Sequence, residues 1–421
     1  MEWLGQVPMV VWLGAGLALY MAWAIGANDV ANAMGTSVGS GALTIRGAIL
    51  VAAVFEFGGA FLAGGHVTDT VRKGILDASA FEGRPELLVY GMLAALASAG
   101  TWLIIASRAG LPVSTTHSIV GAIVGFGAVG LGMEAIAWGK VGQIVASWVT
   151  SPLMSGVLAY GIFQLTRRLI LDHEQPIDRV RRLGPFFFGW VFFVLGLVTL
   201  FKGLKNLKLD LDFGWALAGA AALGVVGAGI GMLLLRRVRP EVGDADEGLR
   251  FARVERVFAV LQIMTACAVA FAHGSNDVAN AIGPLAAVVN VAGGGELDGK
   301  APVAVWMLAV GGLGIVVGLA TYGFKVMETV GKKITELTPS RGFAAELAAA
   351  TTIVIASRAG IPVSTTHTLV GAVLGVGLAR GIGALDLRVV GSILLSWVIT
   401  LPTGAALAVF FFYFFKGLFG P

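Results

Sequence analysis

The chain consists mainly of long apolar stretches separated by short polar connectors. A helix that crosses a bilayer needs about 20 predominantly apolar residues. The longer stretches lie at 8–27, 48–67, 87–106, 141–165, 186–201, 213–235, 257–272, 301–324, 342–356 and 387–415. Shorter, glycine-interrupted stretches lie at 31–42, 118–138, 279–291 and 368–384. These shorter stretches could be half-helices, re-entrant segments or full crossings, so the pattern predicts about 10 to 12 transmembrane helices plus re-entrant or half-helices.

The composition agrees with this pattern. The 421-residue chain is 57% hydrophobic and only 13% charged, with a mean hydropathy of +0.86. Soluble domains carry roughly 25% charged residues, so the chain lacks the polar surface that a soluble protein of this length needs. The composition therefore excludes a soluble enzyme, a nucleic-acid-binding protein and a disordered scaffold. It predicts an all-α polytopic membrane protein in contact with the lipid bilayer.

Basic residues are concentrated in two connectors, at 167–184 and 236–256. Because cytoplasmic loops of membrane proteins are enriched in Lys and Arg, we expect both connectors to face the cytoplasm, with two crossings between them. Residues 1–45 contain no Lys or Arg, which places the N-terminus outside. The C-terminus is expected outside as well.

Two sequence motifs occur twice in the chain. The motif Gly-Ala-Asn-Asp-Val-Ala-Asn-Ala at 26–33 recurs at 274–281, with Ser in place of its first Ala. The motif Ala-Ser-Arg-Ala-Gly-Leu-Pro-Val-Ser-Thr-Thr-His at 106–117 recurs at 356–367, with Ile in place of Leu. The two motifs recur in the same order and at nearly the same offset, which indicates an internal duplication.

The duplication divides the chain into three parts. They are a first membrane repeat at 1–166, a linker region with two transmembrane helices at 167–253, and a second membrane repeat at 254–421. By the distribution of basic residues, the first repeat begins outside and the second begins inside. Repeats that enter from opposite faces have inverted topology, which is the architecture of many secondary transporters.

The first motif places an acid and two amides inside an apolar run. The two copies supply Asn28, Asp29 and Asn32, and then Asn276, Asp277 and Asn280. A carboxylate at membrane depth costs at least about 2.5 kcal/mol and indicates a functional site. Carboxylate and amide oxygens suit hard cations such as Na⁺, and a helix that unwinds here would add backbone carbonyls. The alternative is a hydrogen-bond cluster that only joins helices, and the occurrence of the motif in both repeats favours the ion site.

The second motif combines helix breakers with hydroxyl groups. Gly110 and Pro112 precede Ser114, Thr115 and Thr116, and the second copy supplies Ser364, Thr365 and Thr366. Ser and Thr are preferred N-caps, and a half-helix that starts here directs free N–H groups and its positive dipole end towards the break. Together the two copies could enclose a tetrahedral oxyanion without a Lys or Arg. The alternative is that the hydroxyls only cap buried helix ends.

Basic and imidazole side chains flank the hydroxyl cluster in both repeats. Arg108 and Arg358 precede it, and they could assist an anion or extend to the membrane interface. His117 and His367 follow it, and they could donate to an anion, relay protons or simply pack.

Three further polar residues lie in apolar runs without a matching residue in the other repeat. Glu56 and Glu346 are candidate cation ligands or proton carriers, and the alternative is that each pairs with a polar neighbour. His273 directly precedes the second Asn-Asp motif. Because the first copy has no equivalent histidine, we expect His273 to be structural.

The two duplicated motifs resemble those of the inorganic phosphate transporter (PiT) family, which is related to the mammalian type III sodium–phosphate cotransporters. The resemblance covers both repeats and implies symport of inorganic phosphate, coupled to Na⁺ or to H⁺, with no other cofactor. The inverted repeats predict that this symport works by alternating access. It implies that Asn28, Asp29, Asn276 and Asp277 hold the coupling ion. It also implies that phosphate is bound by Ser114, Thr115, Thr116, Ser364, Thr365 and Thr366, with Asn32 and Asn280 nearby.

Glu56 and Glu346 occupy positions where members of the PiT family carry functionally important acids. Eukaryotic relatives insert a large cytoplasmic domain between the repeats, whereas the linker here is short. The departure indicates a prokaryotic protein in the cytoplasmic (inner) membrane.

Two other functions and one structural question stay open. Sulfate is also a tetrahedral oxyanion, and the same family includes sulfate permeases, so a proton-coupled sulfate permease is the nearer alternative. An intramembrane enzyme is less favoured, because no known pairing of nucleophile and base appears in the sequence. Glycine-rich helix faces permit a homo-oligomer, but they serve packing within one subunit equally well.

Overall fold

A computed structural model describes residues 7–64, 75–76, 78–200, 212–238, 247–295, 303–358 and 363–420. Within these ranges the chain is almost entirely helical, and the extended pairing there is an isolated bridge between Leu76 and Ile136. The α-helices are α1 (Val7–Gly39), α2 (Ile45–Ala63), α3 (Pro85–Arg108), α4 (Thr115–Gly130), α5 (Trp138–Thr166), α6 (Pro176–Val198), α7 (Phe213–Leu235), α8 (Glu247–Ala292), α9 (Val305–Tyr322), α10 (Phe324–Glu328), α11 (Pro339–Arg358), α12 (Thr365–Arg380) and α13 (Leu387–Phe419).

Nine helices in the described part of the chain are long and apolar enough to cross a membrane. They are α1, α2, α3, α5, α6, α7, α8, α9 and α13. The prediction of an all-α polytopic membrane protein is thereby confirmed. The glycine-interrupted stretches at 31–42 and 279–291 belong to the ends of α1 and α8 and are not separate segments.

The other two glycine-interrupted stretches contain the short helices α4 and α12. Each has 16 residues, which gives about 24 Å of helix and is less than the hydrocarbon thickness of about 30 Å. A methyl group on Gly91 of α3 would lie 2.2 Å from the ring of Phe126 on α4, so α4 turns back along α3. This contact indicates a helical hairpin of α3 and α4, whose bend contains the Gly-Leu-Pro break. In the second repeat α11 and α12 pack against each other as the equivalent pair, and we call the two pairs the first and the second hairpin.

The repeat helices α1 and α8 run antiparallel to each other. A methyl group on Gly14 would lie 3.4 Å from Val288 Cγ1, and Ser40 Oγ donates to Gln262 Oε1 at 2.7 Å. In the duplication Gly14 corresponds to Gln262 and Ser40 corresponds to Val288, so these two contacts are equivalents of each other. Equivalent helices that cross in opposite directions relate the repeats by a pseudo-two-fold axis, which agrees with the predicted inverted topology.

The two repeats exchange packing partners. On α4, a methyl group at Gly125 would lie 2.4 Å from the carbonyl oxygen of Ala405 on α13. On α12, a methyl group at Gly375 would lie 2.0 Å from the carbonyl oxygen of Gly156 on α5. Such close approach of two helices requires glycine. Each half-helix therefore packs against the last helix of the other repeat.

Candidate ion and anion site

The first motif lies where α1 and α8 cross. The helix α1 is continuous from Val7 to Gly39, so the unwinding considered from the sequence is absent there. Asn28, Asp29 and Asn32 are buried on α1. The antiparallel crossing brings them next to Asp277 and Asn280, which are also buried. Asn276 is half-buried.

Asp29 accepts hydrogen bonds from both hairpins. Thr115, at the start of α4, donates to Asp29 Oδ2. Thr366, at the start of α12, donates to Asp29 Oδ1 at 3.3 Å, and Asn32 Nδ2 donates to the same oxygen at 3.1 Å. Asn32 Nδ2 also lies 2.9 Å from Thr366 Oγ1. The acid of the first repeat is thus surrounded by hydroxyls from both halves of the chain.

Asp277 has the equivalent surroundings in the second repeat. Asn280 Nδ2 donates to Asp277 Oδ1 at 3.2 Å, and Thr365 Oγ1 donates to Asp277 Oδ2 at 3.5 Å. These contacts repeat those of Asp29 with Asn32 and Thr115. The two copies of the first motif therefore form one composite site.

His273 lies between the acids, a position that the comparison of the two repeats did not predict. Its Nε2 is 3.1 Å from Asp277 Oδ2 and 3.7 Å from Asp29 Oδ2, and its Nδ1 is 3.4 Å from Glu56 Oε1. Asp29, His273 and Asp277 offer three ligand atoms that lie within 4.8 Å of one another. The spacing in the sequence could have indicated this contact, because His273 is four residues before Asp277 on the same helix. The comparison of the two repeats instead favoured a structural role, since the first repeat has no equivalent histidine.

Asn28 holds the bend of the first hairpin. Its Nδ2 donates to Ser107 Oγ at 3.0 Å and to Leu111 O at 3.1 Å, and its Oδ1 accepts from the Val113 amide at 3.1 Å. Both ends of the amide are therefore engaged with the hairpin. This observation adds a positioning role to the expected role of an ion ligand.

The hydroxyl residues begin α4 and α12 as predicted. Ser114 Oγ accepts from the His117 amide at 3.4 Å, and Ser364 Oγ accepts from the His367 amide at 3.2 Å. Both serines are therefore N-caps, and their O–H groups can still donate. Thr116 is half-buried at the same helix end. The N-termini of two half-helices thus converge on the Asp29–Asp277 site.

The sequence from residue 25 to residue 408 matches the phosphate transporter family. The chain belongs to the phosphate transporter family. A protein of Haemophilus influenzae named as a candidate phosphate permease is 48% identical over 411 residues, which cover 97% of each chain. The chloroplastic inorganic phosphate transporter 2-1 of Arabidopsis thaliana is 45% identical over 446 aligned positions, covering 96% of this chain and 74% of that protein.

A solved structure described as the sodium-dependent phosphate transporter superposes on this chain with a TM-score of 0.87. Its sequence is 39% identical, and the match covers 97% of this chain and 100% of the other. The predicted resemblance to phosphate transporters is confirmed, as is the prediction that the protein is not an enzyme. Membership of this family and the apolar helices also establish a multi-pass membrane protein.

In this phosphate transporter the two unmatched glutamates have different surroundings. Glu56 is buried beside His273 and so joins the central site. Glu346 lies in a separate buried pocket, where its Oε1 accepts from Thr36 and, at 2.9 Å, from Ser37. Its Oε2 accepts from Thr265 at 2.5 Å. The hydroxyls around Glu346 come from α1 and α8 and not from the hairpins.

Arg108, one of the two predicted arginines, does not join the transporter's central site. Arg108 is exposed, and its Nε donates to the Tyr322 hydroxyl at 3.2 Å. This arrangement agrees with an arginine that extends to the membrane interface. The side chain of Arg358 lies outside the described part of the structure.

The predicted histidines contact each other. The rings of His117 and His367 are 4.5 Å apart, edge to face. Trp148 lies 4.1 Å from the His117 ring, and Trp397 stacks on the His367 ring at 3.6 Å. The two histidines thus form an aromatic cluster between the first turns of α4 and α12, and packing accounts for their ring contacts.

Proposed function

We propose that this phosphate transporter is a sodium-coupled symporter of inorganic phosphate that works by alternating access. The observation that carries the proposal is the buried pair Asp29 and Asp277 beside two converging helix N-termini. The name of the related solved structure, which specifies sodium dependence, supports the choice of ion.

The acids form the cation-binding part of the site. Asp29, Asp277 and Glu56 are three buried carboxyl groups around one imidazole, that of His273. A group of buried acids with a single basic partner attracts a cation, because an uncompensated charge is costly away from water. Threonine hydroxyls beside the acids add the hard oxygen ligands that suit Na⁺. Asn28 and Asn276 are the neighbouring amides that complete the predicted ligand set.

The hairpins form the anion-binding part. Free N–H groups at the start of a helix favour a phosphate group, and two such helix ends lie on opposite sides of the pseudo-two-fold axis. Hydroxyls and amides then donate to the phosphate oxygens. These donors are Ser114, Thr115, Thr116, Ser364, Thr365, Thr366, Asn32 and Asn280. The buried Asn32 Oδ1 has no hydrogen-bond partner among the described residues, so it can accept from a protonated phosphate oxygen.

Coupling follows from the nearness of the two parts. Carboxylates repel phosphate, and a bound Na⁺ neutralises them and attracts the anion. Binding of either ion therefore increases the affinity for the other by the same factor. Threonines that contact Asp29 and Asp277 belong to the anion-binding turns, so filling the cation site also orients the phosphate donors.

Alternating access is supported by the symmetry. Inverted repeats around a midplane site can open to one face and then to the other by rocking of equivalent elements. The two hairpins are such equivalent elements, because the N-termini of their half-helices α4 and α12 lie at the site. We further propose that the N- and C-termini lie on the side of the cytoplasmic membrane that faces away from the cytoplasm, as the basic connectors indicate.

Uptake into proteoliposomes containing the full-length protein tests the function. Labelled phosphate is expected to accumulate with an inward Na⁺ gradient and not with an inward K⁺ gradient of equal size. Accumulation that is driven by a pH gradient in the absence of Na⁺ would show that the transporter is coupled to protons and not to sodium. Preferential uptake of labelled sulfate would contradict the assigned substrate, and uptake of neither anion would overturn the proposal.

A further inference from the structure

Trp397 of α13 contacts both hairpins of the site. Its indole Nε1 donates to the carbonyl oxygen of Pro112 at 3.0 Å, in the bend of the first hairpin. Its ring stacks on His367 with a centroid distance of 3.6 Å and an interplanar angle of 16°. His367 lies in the first turn of α12, in the second hairpin. Trp397 is 5% exposed, so it is a buried side chain that connects two parts of the site.

The hydrogen bond to Pro112 completes the fixation of the first bend. Asn28 on α1 binds the Leu111 carbonyl and the Val113 amide from one side. Trp397 binds the carbonyl between them, that of Pro112. Three consecutive residues are thus held by side chains from both repeats. The next residues, Ser114 and Thr115, begin α4 and supply anion donors in the proposed function.

Trp397 and Trp148, one from each repeat, are arranged crosswise. Trp397 is carried by α13, which packs on α4, but its ring stacks on His367 of α12. Trp148 is carried by α5, which packs on α12, but its ring contacts His117 of α4. Each tryptophan therefore connects a helix packed on one half-helix to the first turn of the other half-helix.

We infer that Trp397 is a positioning residue that sets the separation and orientation of the two helix N-termini that bind the anion. The inference rests on the proposed phosphate site. A tetrahedral anion held between two helix ends is sensitive to their spacing, since each donor must stay within hydrogen-bond distance. Loss of the indole N–H also leaves the buried Pro112 carbonyl without this partner, which favours movement of the bend.

The variant Trp397→Phe tests the inference, because phenylalanine keeps a ring against His367 and removes the N–H donor. Trp102→Phe is the matched control. Trp102 Nε1 donates to Thr400 Oγ1 at 3.0 Å, so this control also loses an indole hydrogen bond between α3 and α13, away from the bend. Labelled phosphate uptake is measured in proteoliposomes at saturating Na⁺, and both KM and the maximal rate are determined.

For Trp397→Phe we expect a KM for phosphate about tenfold higher than in the wild type, with a maximal rate within about twofold. Trp102→Phe should change KM by less than about twofold. A loss of folded protein alone would lower the maximal rate and leave KM unchanged. An unchanged KM in Trp397→Phe, or an equal rise in both variants, would overturn the inference.

A second substitution covers the case in which Trp397→Phe does not fold. Benzothienylalanine, introduced at position 397 by nonsense suppression, has nearly the shape of tryptophan but lacks the N–H group. The same rise in KM supports the inference, and a wild-type KM contradicts it. If wild-type protein transports no phosphate, the proposed function fails, whereas wild-type uptake with no effect at Trp397 removes only the positioning role.

Discussion

Thr366 of α12 donates its hydroxyl hydrogen to Asp29 of α1 at 3.3 Å, although the two residues are 337 positions apart in the sequence. Thr115, from the same repeat as Asp29, donates to the other carboxylate oxygen. One acid is thus positioned by the anion-binding turns of both repeats. The acid and the hydroxyls form a single site that neither repeat builds alone.

The charge of Asp29 is the first feature to test. Asp29→Asn keeps the shape of the side chain, and it is expected to lower sodium-driven phosphate uptake by at least about 30-fold, because losing one partner of a buried charged group costs about 2–5 kcal/mol. The elution profile of the detergent-solubilised protein should not change. Asp212→Asn is the control, since Asp212 is an exposed N-cap of α7. Wild-type sodium dependence in Asp29→Asn would remove Asp29 from the coupling site.

His273 should make the protein less dependent on sodium for stability. His273→Asn leaves Asp29, Asp277 and Glu56 without the imidazole between them. Because a bound cation stabilises the folded state, we expect the Tm to fall by at least about 2 °C more in K⁺ buffer than in Na⁺ buffer. His173→Asn, in a connector between α5 and α6, should show equal changes in both buffers. An equal fall for His273→Asn would mean that the histidine only packs.

The repeated motifs made much of the site predictable. Because the acid and the hydroxyl cluster each occur once in each repeat, the sequence predicted that the two copies converge about a symmetry axis, and the structure brings them together. The partner of each group was not predictable. No local pattern indicates that Thr366 faces Asp29, since that contact depends on how α12 packs against the other repeat.

Residues without a repeat equivalent were the hardest to interpret. His273 has no counterpart in the first motif, so the symmetry argument assigned it a structural role, and only the crossing of α1 and α8 reveals its contact with both acids. The continuity of α1 was equally hidden, because glycine and asparagine weaken a helix locally. Tight packing on α9, where a methyl group at Gly26 would lie 2.0 Å from Ile315 O, keeps that segment helical.

Substitution of the capping residue of α12 can distinguish a loss of phosphate binding from a loss of stability. Ser364→Ala removes a helix cap, which costs about 1 kcal/mol of stability, and it also removes a proposed phosphate donor. We expect the KM for phosphate to rise about fivefold, since each 1.4 kcal/mol corresponds to a factor of ten. Thr44→Ala removes the equivalent cap of α2, where Thr44 Oγ1 accepts from the Gly47 amide at 3.1 Å. That variant should lose similar stability with an unchanged KM, and matching KM values would refute a binding role for Ser364.

Membrane orientation can be tested by labelling of introduced cysteines. The connector with Glu174 is expected in the cytoplasm, and the connector with Met133, at the other end of α5, is expected outside. Both residues are exposed. In intact cells of the expression host, a membrane-impermeant maleimide should label Met133→Cys and not Glu174→Cys, on a background in which Cys267 is replaced by Ala. The reverse pattern would invert the predicted topology.

The contact of α12 with α5 should tolerate no added methyl group at Gly375. A Cβ there would lie 2.0 Å from the carbonyl oxygen of Gly156. To relieve this clash α12 would have to move away from α5, and its N-terminus would then move away from the site. Gly375→Ala is therefore expected to lower the Tm by at least about 5 °C and to abolish phosphate uptake. Gly161→Ala on α5 has no atom within 4 Å of the new methyl group, so its Tm should stay the same or rise, as alanine favours helix by about 1 kcal/mol. Equal stability of the two variants would contradict the close helix contact that joins the second half-helix to the first repeat.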